Sequence, residues 1–276
     1  MRCGAIKKFG YQTLNKDSGS DSELAEVMNM HKNYTYITAS SYKTMEYYKE
    51  AFNADKDKMK LIGMPRIDYI LEENADKIDK IYETYPRLRE KPNVLYVPTF
   101  RKDKLNDMEE LQESFDFERY NLVIKYHQLD KTRRKTNNFI EEKAIIVNDK
   151  YSQIYDLYKI CDYLITDYSS AAIEACILDK PIYFYVYDID EYIKDPGLNI
   201  NPLQEMPEIS SKEFSTIMKW IKEGSYDYDA IRDFKNKYIN IDLNENCTKQ
   251  LLDFILTGEV HETIYEEAKK HSPGIV

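Results

Sequence analysis

"CDYLITDYSSAAIEACILDKPIYFYVYD" (residues 161–188) holds two short apolar runs on either side of a small-residue helical pattern. DYLIT (162–166) and KPIYFYV (180–186) have the near-continuous apolarity of strands covered on both faces. Residues 169–178 between them read as a helix. Strand, helix and strand in that order make a βαβ unit, which implies parallel pairing. The stretch also poses a chemical question. Its first strand ends on Thr166-Asp167, and the helix opens with Ser169-Ser170.

The same alternation extends outward. NVLYVPT (93–99), NLVIKYH (121–127) and KAIIV (143–147) read as strands, with helices over 107–119 and 151–160. Upstream, 22–31 reads as a short helix, YTYIT (34–38) as a strand and 40–53 as a helix. KLIG (60–63) is a strand followed by a turn at MPR, and 72–88 is a charged helix. Residues 211–271 show several amphipathic helices. The pattern predicts an α/β fold with a Rossmann-like parallel sheet, helices on both faces and a helical C-terminal tail. The turn at Gly63-Pro65 is the best boundary between an N-terminal segment, 1–65, and a larger unit, 66–276.

Composition narrows the function. The 276 residues are 42% hydrophobic and 32% charged, with a net charge of -10. That charge argues against nucleic acid as a partner. No apolar run approaches the roughly 20 residues that span a bilayer. The N-terminus lacks the apolar core of a signal peptide. Cys3, Cys161, Cys176 and Cys247 are scattered without metal-ligand spacing, so no metal site is expected. Cys161 and Cys176 read as buried thiols, and this usage fits a reducing, cytoplasmic setting.

In open parallel sheets, ligands sit beyond the carboxyl ends of the strands. Polar groups cluster there at Arg66, Pro98-Thr99, Lys125-Tyr126-His127 and Asp167 to Ser170. A helix start exposes unpaired N–H groups. Ser169 suits an N-cap, and the small Ala171 and Ala172 let an anion approach. Glu174, one turn on, either accepts hydrogen bonds from sugar hydroxyls or faces solvent. Asp167 also reads as a turn former that binds nearby amides. His127 is either structural or an acid–base group, on the same strand face as Lys125. KTRRK (131–135) is either a solvated loop or an attractor of anions, and Arg101 is a further phosphate partner. No glycine-rich phosphate loop and no zinc or serine-hydrolase motif is present.

Taken together, "GAIKKFG", "GMPRID", "VLYVPTFRKD", "VIKYH" and "CDYLITDYSSAAIEACILDKPIYFYVYDIDEY" resemble the CDP-glycerol glycerophosphotransferases, which build teichoic acid and related polyol-phosphate polymers. The resemblance covers most of residues 3–195. It implies a GT-B architecture in which 1–65 are the last part of an acceptor-side domain and 66–276 are the nucleotide-donor domain. It implies a CDP-glycerol or CDP-ribitol donor bound by Arg66, Pro98, Thr99, Lys125, Tyr126, His127, Ser169, Ser170 and Glu174, with His127 catalytic and no cofactor. The acceptor is then a polyol phosphate or a lipid-linked glycan, with peripheral contact at the inner face of the membrane. Relatives often carry arginine where this chain has Lys125. They also carry a Trp-His pair, the general base, just before the segment matching "CGAIKKFG", where this chain has only Met1-Arg2. The resemblance therefore leaves three forms open: a piece of a longer transferase, a silent CDP-polyol-binding module, or a GT-B enzyme using nucleotide-sugars.

Overall fold

The computed structural model of the chain describes residues 4–99, 108–126 and 138–259. Its strands are β1 (Ile37–Ala39), β2 (Met59–Leu61), β3 (Asn93–Val97), β4 (Asn121–Ile124), β5 (Ile145–Ile146), β6 (Tyr163–Thr166), β7 (Ile182–Tyr185) and β8 (Ser210–Ser211). The helices are α1 (Ser22–Val27), α2 (Tyr42–Phe52), α3 (Pro65–Leu71), α4 (Ala75–Thr84), α5 (Glu109–Ser114), α6 (Asn138–Lys143) and α7 (Ile154–Ile160). They continue with α8 (Ala171–Ala175), α9 (Ile189–Tyr192), α10 (Pro202–Glu205), α11 (Phe214–Glu223), α12 (Tyr228–Tyr238) and α13 (Cys247–Thr257).

The ladders between these strands are parallel. β1 and β2 form a small sheet of their own, and the large sheet runs β5-β4-β3-β6-β7-β8. Counted in order of appearance, that is 3-2-1-4-5-6, the doubly wound order. The chain leaves β3 in one direction and returns at β6 in the other. The crevice between those two strand ends is the switch point.

Burial explains the apolar runs. β3, β4 and β7 are buried along their whole length, because helices cover both faces of the sheet. The tail helices are amphipathic as expected. α11 buries Phe214, Ile217, Met218 and Ile221, the i, i+3, i+4, i+7 stripe. Each such side chain contributes about 1.5–3 kcal/mol on burial. Caps fix the ends of several helices. Ser41 Oγ accepts the Thr44 N–H at 3.0 Å to start α2, and Asn53, at φ 46°, ends it.

Several boundaries differ from the sequence reading. The expected turn at MPR is the start of α3, because Pro65 takes the first helical position, where a missing N–H costs nothing. The charged segment 72–88 is not one helix. The chain breaks after Leu71, resumes as α4 and closes in a 3-10 turn at Pro86–Arg89. The expected helices over 22–31, 107–119 and 151–160 are shorter than the pattern suggested, and the strand expected at 34–38 lies at Ile37–Ala39. The helix expected over 169–178 is the five-residue α8 followed by a 3-10 turn, Cys176–Leu178. α9, α10 and β8 were not anticipated; each is very short.

The small sheet packs with α2 around Ile37, Tyr48, Phe52 and Met59. C-terminal segments brace it and the neighbouring α3. The Asn240 N–H donates to Ser40 O at 2.7 Å, and the Cys247 and Thr248 N–H groups donate to the Asp68 carboxylate at 2.7 and 2.8 Å. The N-terminal segment is pinned as well. Lys8 N donates to Gly197 O at 2.9 Å, and Asn199 N donates to Ile6 O at 2.8 Å.

Candidate functional site

The carboxyl ends of β3, β4, β5 and β6 open into one cleft of about 740 Å³. Arg66, Pro98, Thr99, Lys125, Tyr126, Ser169, Ser170 and Glu174 all line it, so the structure brings together every described residue expected to bind the donor. His127, Arg101 and KTRRK (131–135) lie outside the described residues.

Asp167 closes the switch point. It ends β6 beside the end of β3, only 2% exposed. Its carboxylate accepts the Thr99 N–H at 3.0 Å on both oxygens, the Thr99 hydroxyl at 2.5 Å and the Tyr168 N–H at 2.7 Å. Buried donors left unpaired cost about 1–3 kcal/mol each, so an acid is what this strand end requires. The turn-forming reading of Asp167 is therefore correct, but its partners come from across the sheet as well as from the next residue.

The serine pair differs from its expected geometry. Ser170, not Ser169, stands at the N-cap of α8, and its side chain makes no capping bond. Ser169 Oγ instead accepts the Ala171 N–H at 3.2 Å. With only five α-helical residues behind it, this corner carries a weaker dipole than the expected ten-residue helix. Hydroxyls and nearby cations therefore matter more here than the helix itself.

Glu174 does not face solvent. It is 4% exposed, and its Oε1 lies 2.7 Å from Arg66 Nη1. The Tyr158 hydroxyl reaches its other oxygen at 3.5 Å, and the Arg66 guanidinium lies 5.8 Å from the Tyr155 ring centre. Glu174 thus fixes the direction of Arg66 from one wall of the cleft, and α7 supplies the aromatic backing.

On the opposite wall, Lys125 Nζ donates to Ser152 O at 2.9 Å and to Asp149 O at 3.4 Å. Burial holds its ammonium below the usual lysine pKa, and the Asp149 charge partly offsets that. Asp149 ties the loop after β5. Burial alone would raise its carboxyl, but hydrogen bonds from Ser152, Tyr85 and Tyr151 hold it down to about 2.

Sequence reasoning missed the loop from Val147 to Ile154, Tyr155 and Tyr158 on α7, and Lys7. The strand-end rule that selected Lys125 applies equally to the loop after KAIIV. Lys7 stands inside the quoted "GAIKKFG" motif but was given no role. The lining holds the cations Lys7, Arg66, Lys125 and Lys150 against the carboxylates Asp149 and Glu174. On a chain of net charge -10, that local cationic excess favours an anionic ligand. Among the described residues, no group of three or more His, Cys, Asp or Glu side chains is placed to hold a metal ion. Among them too, no helix is long and apolar enough to cross a membrane.

A doubly wound sheet with a cationic cleft at its switch point places the chain among the α/β proteins whose ligands sit beyond the carboxyl ends of the strands. The chain belongs to the CDP-Glycerol:Poly(glycerophosphate) glycerophosphotransferase family, whose profile matches residues 3–257. It is 29% identical over 262 residues to the teichoic acid ribitol-phosphate primase of Bacillus spizizenii, covering 92% of this chain and 67% of that protein. It is 27% identical over 278 residues to the same organism's teichoic acid poly(ribitol-phosphate) polymerase, covering 97% of this chain and 44% of that one. The chain thus spans about two thirds of the first relative and less than half of the second. Its fold matches the wall teichoic acid polymerase TagF with a TM-score of 0.73 at 20% identity, covering 99% of this chain and 68% of that one. It also matches a UDP-GlcNAc 2-epimerase from Neisseria meningitidis with a TM-score of 0.56 at 13% identity, covering 92% of this chain and 68% of that one. The fold is therefore α/β and GT-B-like, as expected.

Proposed function

We propose that this cleft holds a CDP-activated polyol, glycerol or ribitol, and that the chain carries the donor side of a polyol-phosphate transferase. The observation that carries the reading is convergence. Arg66, Thr99, Lys125 and the Ser169–Glu174 corner come from four separate segments and meet at one switch-point cleft. Family membership supports it, as does a TagF structure solved with CDPG. In this reading Arg66 and Lys125 neutralise the diphosphate, and Ser169 and Ser170 hydrogen-bond its oxygens. Pro98, Thr99 and Tyr126 shape the floor beneath it, and His127 keeps its catalytic assignment.

The reaction is in-line phosphoryl transfer. An acceptor hydroxyl oxygen bonds to the β-phosphorus, the bond from that phosphorus to the bridging oxygen breaks, and CMP leaves. The hydroxyl proton passes to a base. Charge develops on the bridging and peripheral oxygens, so the chain contributes chiefly by positioning and by fixed positive charge. The acceptor in this reading is a teichoic acid-type polyol phosphate or a lipid-linked glycan, met at the inner face of the membrane. Residues 1–65, with their separate small sheet, form the end of the acceptor-side half, and 66–276 form the donor half.

CDP-glycerol or CDP-ribitol at a hundred times its Kd stabilises the fold by about 2.7 kcal/mol, seen as a raised Tm. A larger shift with UDP-sugars than with either CDP-polyol rejects the reading. Release of CMP in the presence of a primed acceptor separates a transferase from a silent binding module.

A further inference from the structure

Lys7 lines the cleft beside the residues that hold the donor. Its place is set by backbone contacts on both sides. Residues 6–8 run antiparallel to 197–199, with a bridge between Lys7 and Leu198. Gly4 lies so close to α8 that an added Cβ would sit 2.4 Å from Ile173 Cδ1. Ile6 is 1% exposed, within the main core. A segment held this firmly loses little entropy when its side chain engages a ligand. Lys7 lines the cleft together with Ser169 and Ser170. Lys8, one residue on, lies along Gly197 instead: a Cβ built there would meet its Cδ at 3.1 Å.

The order of the sheet places Lys7 along the ligand. Features of the cleft follow β5, β4, β3 and β6 in sequence across the sheet. Adjacent strands are about 4.8 Å apart, so the β5 loop and the β6 corner are separated by roughly 14 Å. Val147 and Ile154 give the β5 side an apolar surface suited to a base. The segment that carries Lys7 packs on α8 at Gly4 and pairs with the segment after β7 at Lys7 itself, at the opposite side. We infer that Lys7 contacts the distal phosphate of the donor, the one that carries the polyol. It thereby selects a nucleoside diphosphate alcohol over a nucleoside monophosphate. This inference rests on the donor reading of the cleft.

Calorimetric titration of CDP-glycerol, CDP-ribitol and CMP into the wild type and the Lys7→Ala, Lys7→Gln, Lys7→Arg and Lys8→Ala variants tests it. Loss of one charge-assisted phosphate contact weakens CDP-polyol binding by about tenfold or more in Lys7→Ala and Lys7→Gln. CMP binding by those variants stays within about twofold of wild type, since CMP lacks the contacted group. Lys7→Arg keeps the charge and recovers most of the CDP-polyol affinity, and Lys8→Ala leaves the affinity for all three ligands unchanged. The Tm without ligand shows whether each variant is folded, and Lys7→Gln keeps the stem should Lys7→Ala unfold. Unchanged CDP-polyol affinity in folded Lys7 variants overturns the assignment and leaves the donor reading standing. Equal losses for CMP and CDP-polyol overturn it too. A wild type that binds none of the three ligands removes the donor reading itself, and Lys7 with it.

Discussion

Asp167 joins the two strands at which the sheet changes direction, so its removal tests the architecture and the site at once. Asp167→Ala removes the acceptor that the Thr99 N–H, the Thr99 hydroxyl and the Tyr168 N–H share at a buried position. The expected loss is about 3 kcal/mol, read as a lower urea midpoint at unchanged m. A midpoint within error of wild type contradicts the role given to Asp167. At this scale the sequence was readable in kind but not in partner. An acid at a strand end followed by serines pointed to local hydrogen bonding, which Asp167 makes to Tyr168. Its second partner, Thr99, is 68 residues away, and no local pattern encodes that. Glu174 is similar. Its position one turn past Ser170 was visible, but its Arg66 partner, 108 residues away, was not, and burial overturns the solvent-facing alternative.

At the scale of elements, apolar runs located the main strands because parallel strands buried on both faces need no alternation. Ends were harder. Strand and helix bounds depend on caps such as Ser41 and Asn53 and on the proline that starts α3, and these compete with periodicity. The unanticipated β8, α9 and α10 are too brief to show a period at all. The loop after β5 gives the prediction that belongs here. The Asp149 carboxyl is held at about 2, below its ordinary 3.8, by donors that need it ionised. Because the folded value is the lower one, its stabilising contribution is complete above about pH 4. It is lost as pH falls toward 2. Asp149→Asn removes that contribution, so wild type and variant differ in stability near neutral pH and converge in acid. A stability gap that stays constant from pH 6 to pH 2 contradicts this account, and chemical denaturation across that range measures it.

For the whole molecule, the strand order puts the cleft where it is, and no single motif does so. Order was legible only as alternation; the reversal between β3 and β6 is a tertiary fact. The described site residues line one cleft because every one stands at a strand's carboxyl end or one helical turn beyond it. The same rule missed Lys7, which reaches the cleft from the N-terminal segment through its pairing with 197–199. The central claim is that the diphosphate of a CDP-polyol occupies this corner. A crystal of the protein soaked with CDP-glycerol tests it most directly. The account predicts phosphate density bounded by Lys7, Arg66, Lys125 and Ser169, with the base toward the loop after β5. Ordered nucleotide elsewhere, with this corner filled only by solvent, contradicts it.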